Sequence, residues 1–138
     1  MSTEKIILLS NEFWNFYAIG NDVYINSTPE NHQIEKSKEM SATEKEVKRD
    51  QILEYFQCFW KTVESTSDKY TLHFNINSLI VKTPLSYYVT MGKILHSLKE
   101  VFEKHLVETY FKIENNFTRS IFNIVLSFYT PVKPVHVT

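Results

Sequence analysis

The 138-residue sequence predicts an α/β protein: a mixed β-sheet with an N-terminal β-hairpin, followed by the order α-β-α-β-α-β. Three observations carry this prediction. Two aromatic and β-branched runs, Phe13 to Ile19 and Val23 to Asn26, are separated by Gly20-Asn21-Asp22, which tolerates a tight reversal. From residue 43 onward, stretches with a 3.6-residue apolar period alternate with short runs of period two. The chain length suits a single domain over 1–138 with one core, and the 43% hydrophobic content can fill it.

Taken in order, residues 5–9 read as a short apolar strand, and the hairpin follows. Residues 27–42 are polar, contain Pro29 and lack periodicity, so they read as a mobile loop. A helix is expected from Thr43 to about Ser65, gathering Val47, Ile52, Phe56, Phe59, Trp60 and Val63 on one face. Thr43 with Glu46 fits a capping box. Tyr70 to Ile76 alternates as a strand, and Leu79 to Val81 is a short apolar stretch. Thr83-Pro84 marks a helix start, because proline's missing N–H costs nothing in a first turn. That helix places Met91, Ile94, Leu95, Leu98, Val101 and Phe102 on one face and ends near His105. Val107 to Ile113 is the next strand. Asn115 or Asn116 caps a third helix with Phe117, Ile121, Ile124, Val125 and Phe128 as its buried stripe. Pro131 and Pro134 end it, and Val135 to Val137 is the last strand. The alternation of helix and strand predicts right-handed crossovers and a parallel sheet in this half.

Composition excludes several function classes. The net charge is −1, and the dense run from Lys36 to Asp50 interleaves Lys with Glu as a solvated face does, so no nucleic-acid partner is expected. No stretch approaches the ~20 apolar residues of a membrane span, and the apolar run Ile6 to Leu9 is too short for a signal peptide. The single cysteine, Cys58, has Phe56 and Phe59 as neighbours and reads as buried and inert. With no internal disulfide to form, a cytoplasmic location is expected.

Chemistry-bearing motifs are equally sparse. Gly20 and Gly92, the only glycines, cannot build a phosphate cradle. The five histidines show no metal-ligand spacing, although His73 and His136 fall in strands and could meet across the sheet. No GxSxG elbow occurs, and Glu44, Glu46, Glu100 and Glu103 lie on helices near lysines, as exposed charge pairs do. No metal, no cofactor and no enzymatic activity are expected.

Two segments remain. In the hairpin, alternation puts Phe13, Asn15 and Tyr17 on one face and Trp14, Phe16 and Ala18 on the other. One aromatic face is exposed unless helices cover both sides, so the hairpin, with Trp14 and Phe16, is either core or a candidate protein-binding surface. The second segment runs from Phe74-Asn75-Ile76-Asn77 to the helix start at Thr83-Pro84-Leu85-Ser86. Helix N-termini favour anionic groups, so a phosphate on Thr83 or Ser86 would be tolerated there, while Thr83 serves equally as an ordinary cap.

The element order from about residue 13 to 138, and this strand–loop–hydroxyl–helix junction, resemble the STAS/SpoIIAA-like domains. In bacterial anti-sigma-factor antagonists of that group, a Ser or Thr at this helix start is phosphorylated by a partner kinase, which switches partner choice. Thr83 and Ser86 are the matching positions. The chain departs from the pattern at Asn75, where the family carries Asp, and at Lys-Thr-Pro-Leu-Ser in place of Asp-Ser-Ser-Gly-Leu. The resemblance implies a non-enzymatic protein–protein interaction or regulatory module with a protein partner, a homodimer among the forms it could take. The alternative is a small lipid or apolar-ligand binder, since CRAL-TRIO domains share related topology. A small enzyme using unrecognised histidines or carboxylates is the third reading.

Overall fold

The computed structural model describes residues 4–28, 34, 37–64, 69–75, 85–112 and 116–138. Its elements are β1 (Lys5–Ser10), β2 (Trp14–Ile19), β3 (Asp22–Ser27), α1 (Ala42–Glu64), β4 (Tyr70–Asn75), α2 (Leu85–Ser97), α3 (Lys99–His105), β5 (Leu106–Phe111), α4 (Asn116–Phe128) and β6 (Val135–Val137). The α/β class and the mixed sheet are as expected. One sheet holds all six strands in chain order, antiparallel across β1, β2 and β3 and parallel from β3 to β6.

That order decides where the core lies. Each parallel connection steps in the same direction, so crossovers of the usual right hand carry the described helices to the same face. Among the described strands the order never reverses, so they form no switch point of the kind that opens a ligand crevice in doubly wound sheets. Burial agrees: Trp14, Phe16, Val23, Ile25, Tyr70, Leu72, Phe74, Leu106 and Thr109 are buried, while the alternate strand residues are not.

The hairpin is the tightest local feature. Ile19 pairs with Asp22, leaving Gly20-Asn21 as a two-residue loop. Gly20 has φ 61°, and no other described residue has a positive φ, which is the II′ pattern with glycine at the first central position. The Asn21 carbonyl then accepts the Thr71 N–H at 2.9 Å, tying the turn to the start of β4.

Helix α1 lays Ile52, Phe56, Phe59, Trp60 and Val63 on the covered face. The Trp14 indole N–H donates to the Ile52 carbonyl at 2.9 Å, and the Phe16 and Phe59 rings stack at 4.1 Å. Its cap differs from the expected one. Ser41, not Thr43, closes the first turn, its hydroxyl accepting the Glu44 N–H at 3.1 Å and its carbonyl the Lys45 N–H at 3.0 Å. The spacing is still Ser-x-x-Glu, displaced by two residues. Two side chains of α1 depart from expectation. Val47 is half exposed. Cys58 is exposed, because residues one and two positions away, Phe59 and Phe56, do not share its face of a helix.

Of the segment expected as a loop, Ser27 closes β3, Ile34 is 3% exposed within the core, and Ser41 caps α1. The helix expected to run to His105 is two helices, α2 and α3, with Leu98 between them at φ −99° and ψ 9°. There the Ser97 hydroxyl donates to the Ile94 carbonyl at 2.6 Å and the Leu98 N–H to Leu95 at 3.1 Å, which tightens the last turn of α2. Gly92 lets α2 approach α4 closely, for an added Cβ would stand 2.8 Å from the Val125 carbonyl oxygen. Phe128, expected in the buried stripe of α4, is 41% exposed. Among the described residues, no helix is long and apolar enough to cross a membrane.

Candidate interaction surface

With every described helix on one side, the other face of the sheet carries the alternate residues of each strand. The registers align three of its rows. The central row reads Ile7, Tyr17, Tyr24, His73, Tyr110 and His136, one residue from each strand. Beside it lie Asn15, Asn26 and Asn75. On the other side are Lys5, Ile19, Asp22 and Thr71.

The rings of the central row form a continuous stack. Centroids are 4.9 Å apart from Tyr17 to Tyr24, 4.5 Å from Tyr24 to His73, 5.3 Å from His73 to Tyr110 and 4.8 Å from Tyr110 to His136. Interplanar angles lie between 8° and 24°. These separations match the ~4.8 Å spacing of strands, so each ring stands off its own strand and meets its neighbour face to face. The Lys5 ammonium closes the β1 end, 4.2 Å from the Tyr17 ring centroid.

Hydrogen bonds hold the imidazoles upright. His73 Nε2 lies 2.9 Å from Asp22 Oδ1, and His136 Nε2 lies 3.1 Å from Glu108 Oε2. The Tyr110 hydroxyl donates to Glu108 Oε1 at 2.8 Å, so one carboxylate serves two neighbouring rings. The hydrogen bonds from Tyr110 and then His136 hold Glu108 below the usual carboxylate range. The same bond to Glu108 pushes the Tyr110 hydroxyl up, and burial followed by the Asp22 charge pushes Tyr24 up.

This arrangement limits the chemistry of the face. The inner rings turn their flat sides to each other and their edges outward. What it offers is a line of polar ring edges flanked by carboxylates and amides. Asp22 and Glu108 keep 49% and 32% of their side-chain surface open. Among the described residues, no three His, Cys, Asp or Glu side chains gather closely enough to hold a metal ion.

The residues singled out from sequence are distributed unevenly about this surface. Trp14 and Phe16, read from sequence as core or as a partner-binding surface, are 0% exposed and belong to the core, because their strand parity points them at α1. The hairpin rings on the open side are instead Tyr17 and Tyr24. Asn75 lies in the amide row at the end of β4, its Oδ1 buried without a hydrogen-bond partner among the described residues. Ser86 is exposed in the first turn of α2, its carbonyl accepting the Thr90 hydroxyl at 2.9 Å, and it borders a surface hollow with Arg49 and Asp50 of α1. Thr83 lies outside the described residues. His73 and His136 share the central row, with Tyr110 between them instead of direct contact. Tyr110, Asp22 and Glu108 were missed. The alternation that placed Tyr17 opposite Trp14, and the assignment of His73 and His136 to strands of one sheet, are the signals that pointed to this face.

An apolar cavity of about 50 Å³ lies between β4–β6 and the helices, lined by Leu72, Phe74, Met91, Leu95, Phe102 and Tyr129 among others. Burial pushes the Tyr129 hydroxyl to about 12. The cavity is well below the ~150 Å³ that admits a benzene-sized guest and the ~300 Å³ or more of ordinary ligand sites. No protein-family model matches the chain, and neither a curated protein nor a solved structure matches it.

Proposed function

We propose that the chain is a non-enzymatic protein-interaction module that binds its partner on the open face of the sheet. The observation that carries this reading is the row of five stacked rings across β2 to β6, half-exposed on a face that none of the described helices covers. The stack and its hydrogen bonds hold the ring edges with the carboxylates of Asp22 and Glu108 before any partner arrives, so little side-chain entropy is lost on binding. The fitting partner is a protein surface that presents Lys or Arg to the carboxylates of Asp22 and Glu108 and an apolar or amide-rich strip to the ring edges. The small interior cavity favours this reading over an apolar-ligand carrier.

The STAS-like resemblance adds regulation at the start of α2. Phosphate on Ser86 would sit near the Arg49 guanidinium, which borders the same hollow, while Asp50 beside it sets a repulsive counterweight. Thr83 is the second hydroxyl of that reading. The exposed Cys58 thiol suits a reducing compartment, in line with a cytoplasmic location.

Charge reversal tests the interaction. Partners captured by the wild-type chain are compared with those captured by an Asp22→Lys, Glu108→Lys double variant, each checked by thermal melt for folding. Loss of a defined partner from the variant, with capture that weakens as salt rises, supports the proposal. Identical capture by both chains overturns it, and Tyr24→Ala with unaltered capture does so where the double variant fails to fold.

A further inference from the structure

We propose that β1 is a pairing edge that joins two copies of this chain by antiparallel β1–β1 contact. The two edges of the sheet differ in kind. β6 has three residues with Pro134 directly before it, and both features discourage strand addition. β1 has six residues, and its consecutive isoleucines, Ile6 and Ile7, are 55% and 53% exposed on opposite faces of the sheet. Ile6 pairs with Ala18 on the helix side, and Ile7 pairs with Tyr17 on the open side.

An occupant of such an edge must be an extended strand, to meet the outward N–H and C=O groups of β1. It must also be apolar on both faces, to cover Ile6 and Ile7 together. β1 itself has this character, with Ile6, Ile7, Leu8 and Leu9 in succession. With a two-fold axis through Ile7, the Ile7 side chains of the two copies meet, and Ile6 of one copy lies opposite Leu8 of the other. The central row of the open face would then run across the joint from one Tyr17 to the other.

Two features keep the contact small. Lys5 opens the strand, and a bulge between Ile7 and Leu9 twists its end away from flat pairing. The covered area is on the order of a few hundred Å² per copy, at the low end for specific interfaces, so half-dimerisation is expected on the order of 100 µM. The contact is isologous, and the blunted β6 edge offers no second acceptor, so association closes at two copies.

Sedimentation velocity from about 10 µM to about 1 mM tests the proposal. The wild-type chain should pass from monomer to dimer across the range, with amide exchange in β1 slowing as concentration rises. Ile7→Lys should weaken dimerisation at least tenfold, and Val137→Lys at the other edge should leave it unchanged. Ile7→Thr, which keeps a β-branched side chain, repeats the test where the lysine variant does not fold. A monomer throughout, a dimer indifferent to both Ile7 variants, or growth beyond two copies overturns it. Ile7 also begins the central row of the open face, but the readout here is self-association alone, and the Asp22→Lys, Glu108→Lys variant leaves Ile6 and Ile7 in place, so failure of the dimer and failure of partner binding are read separately.

Discussion

On the covered face, Trp60 meets Phe56 at 86° and Phe102 at 78°, whereas on the open face no two neighbouring rings of the central row depart from parallel by more than 24°. Both faces are rich in aromatic side chains, yet different constraints arrange them. Under the helices, rings arrive from the sheet and from α1 and α3, and edge-to-face contacts around Trp60 join stacked pairs such as Phe16 and Phe59 to fill space in three dimensions. On the open side none of the described helices arrives from above, so strand spacing sets the order, and the rings line up in single file. The covered face therefore carries stability, and the open face carries a regular display of polar edges at modest cost to the fold.

The contrast breaks most visibly at Trp14. Trp14→Ala removes a wholly buried indole, its stack on Phe16 at 5.2 Å and its hydrogen bond to the Ile52 carbonyl. A loss of about 3–5 kcal/mol is expected in denaturant unfolding. A loss near 1 kcal/mol would mean that the covered face is not the principal core. Gly92→Ala probes the second layer of that face. Its new methyl would meet the Val125 carbonyl oxygen at 2.8 Å and Phe128 Cβ at 3.1 Å, both parts of α4 that cannot rotate away. The expected cost is about 1–3 kcal/mol, against the gain that alanine brings to an unconstrained helix position. A stabilised variant would show that α2 and α4 are not held together there.

Much of this fold is legible in local pattern. The Gly20-Asn21 reversal, the long stripe of α1 and the β4–α2 and β5–α4 alternations follow from periods of two and 3.6. Cys58 misled because neighbours in sequence are not neighbours on a helix surface. The break at Leu98 left no mark in the apolar stripe, since Leu95, Leu98 and Phe102 continue it on both sides. The candidate surface was half legible for a different reason. Alternation alone separates Trp14 and Phe16 from Tyr17, but the choice of which set the helices cover rests on three crossovers stepping the same way. Likewise, His73, Tyr110 and His136 become neighbours only through the registers of β4, β5 and β6, which no single segment encodes.

The row itself can be tested for cooperation between its members. Tyr24→Ala should cost about 0.5–1 kcal/mol, the worth of a half-exposed cross-strand stack, and so several-fold less than Trp14→Ala. His73→Ala tests the adjacent step, and the double variant completes a thermodynamic cycle. A coupling of about 0.5 kcal/mol between Tyr24 and His73 is expected from their 4.5 Å stack. Strict additivity would mean that the rings are aligned by the strands without attracting one another, which would remove the preorganisation argued for this face.

The smallest effect lies at the β5–β6 end and has two signs. Glu108 is held below its unfolded range by Tyr110 and His136, so its contribution is complete above the ordinary carboxylate value and fades as pH falls through the lowered one. Tyr110 is shifted the other way by the same hydrogen bond. Its contribution is complete below the ordinary tyrosine value and fades as pH rises through the raised one. One bond therefore supports the fold at both ends of the pH range, while the buried Trp14 contact has no such dependence. Glu108→Gln retains an acceptor for the Tyr110 hydroxyl but removes the charge. The variant should bring Tyr110 ionisation down toward its ordinary value in an absorbance titration, and it should shallow the loss of stability in acid. An unchanged Tyr110 titration would show that the Glu108 carboxylate does not hold that ring, and with it the shared anchor of the last two rings in the row.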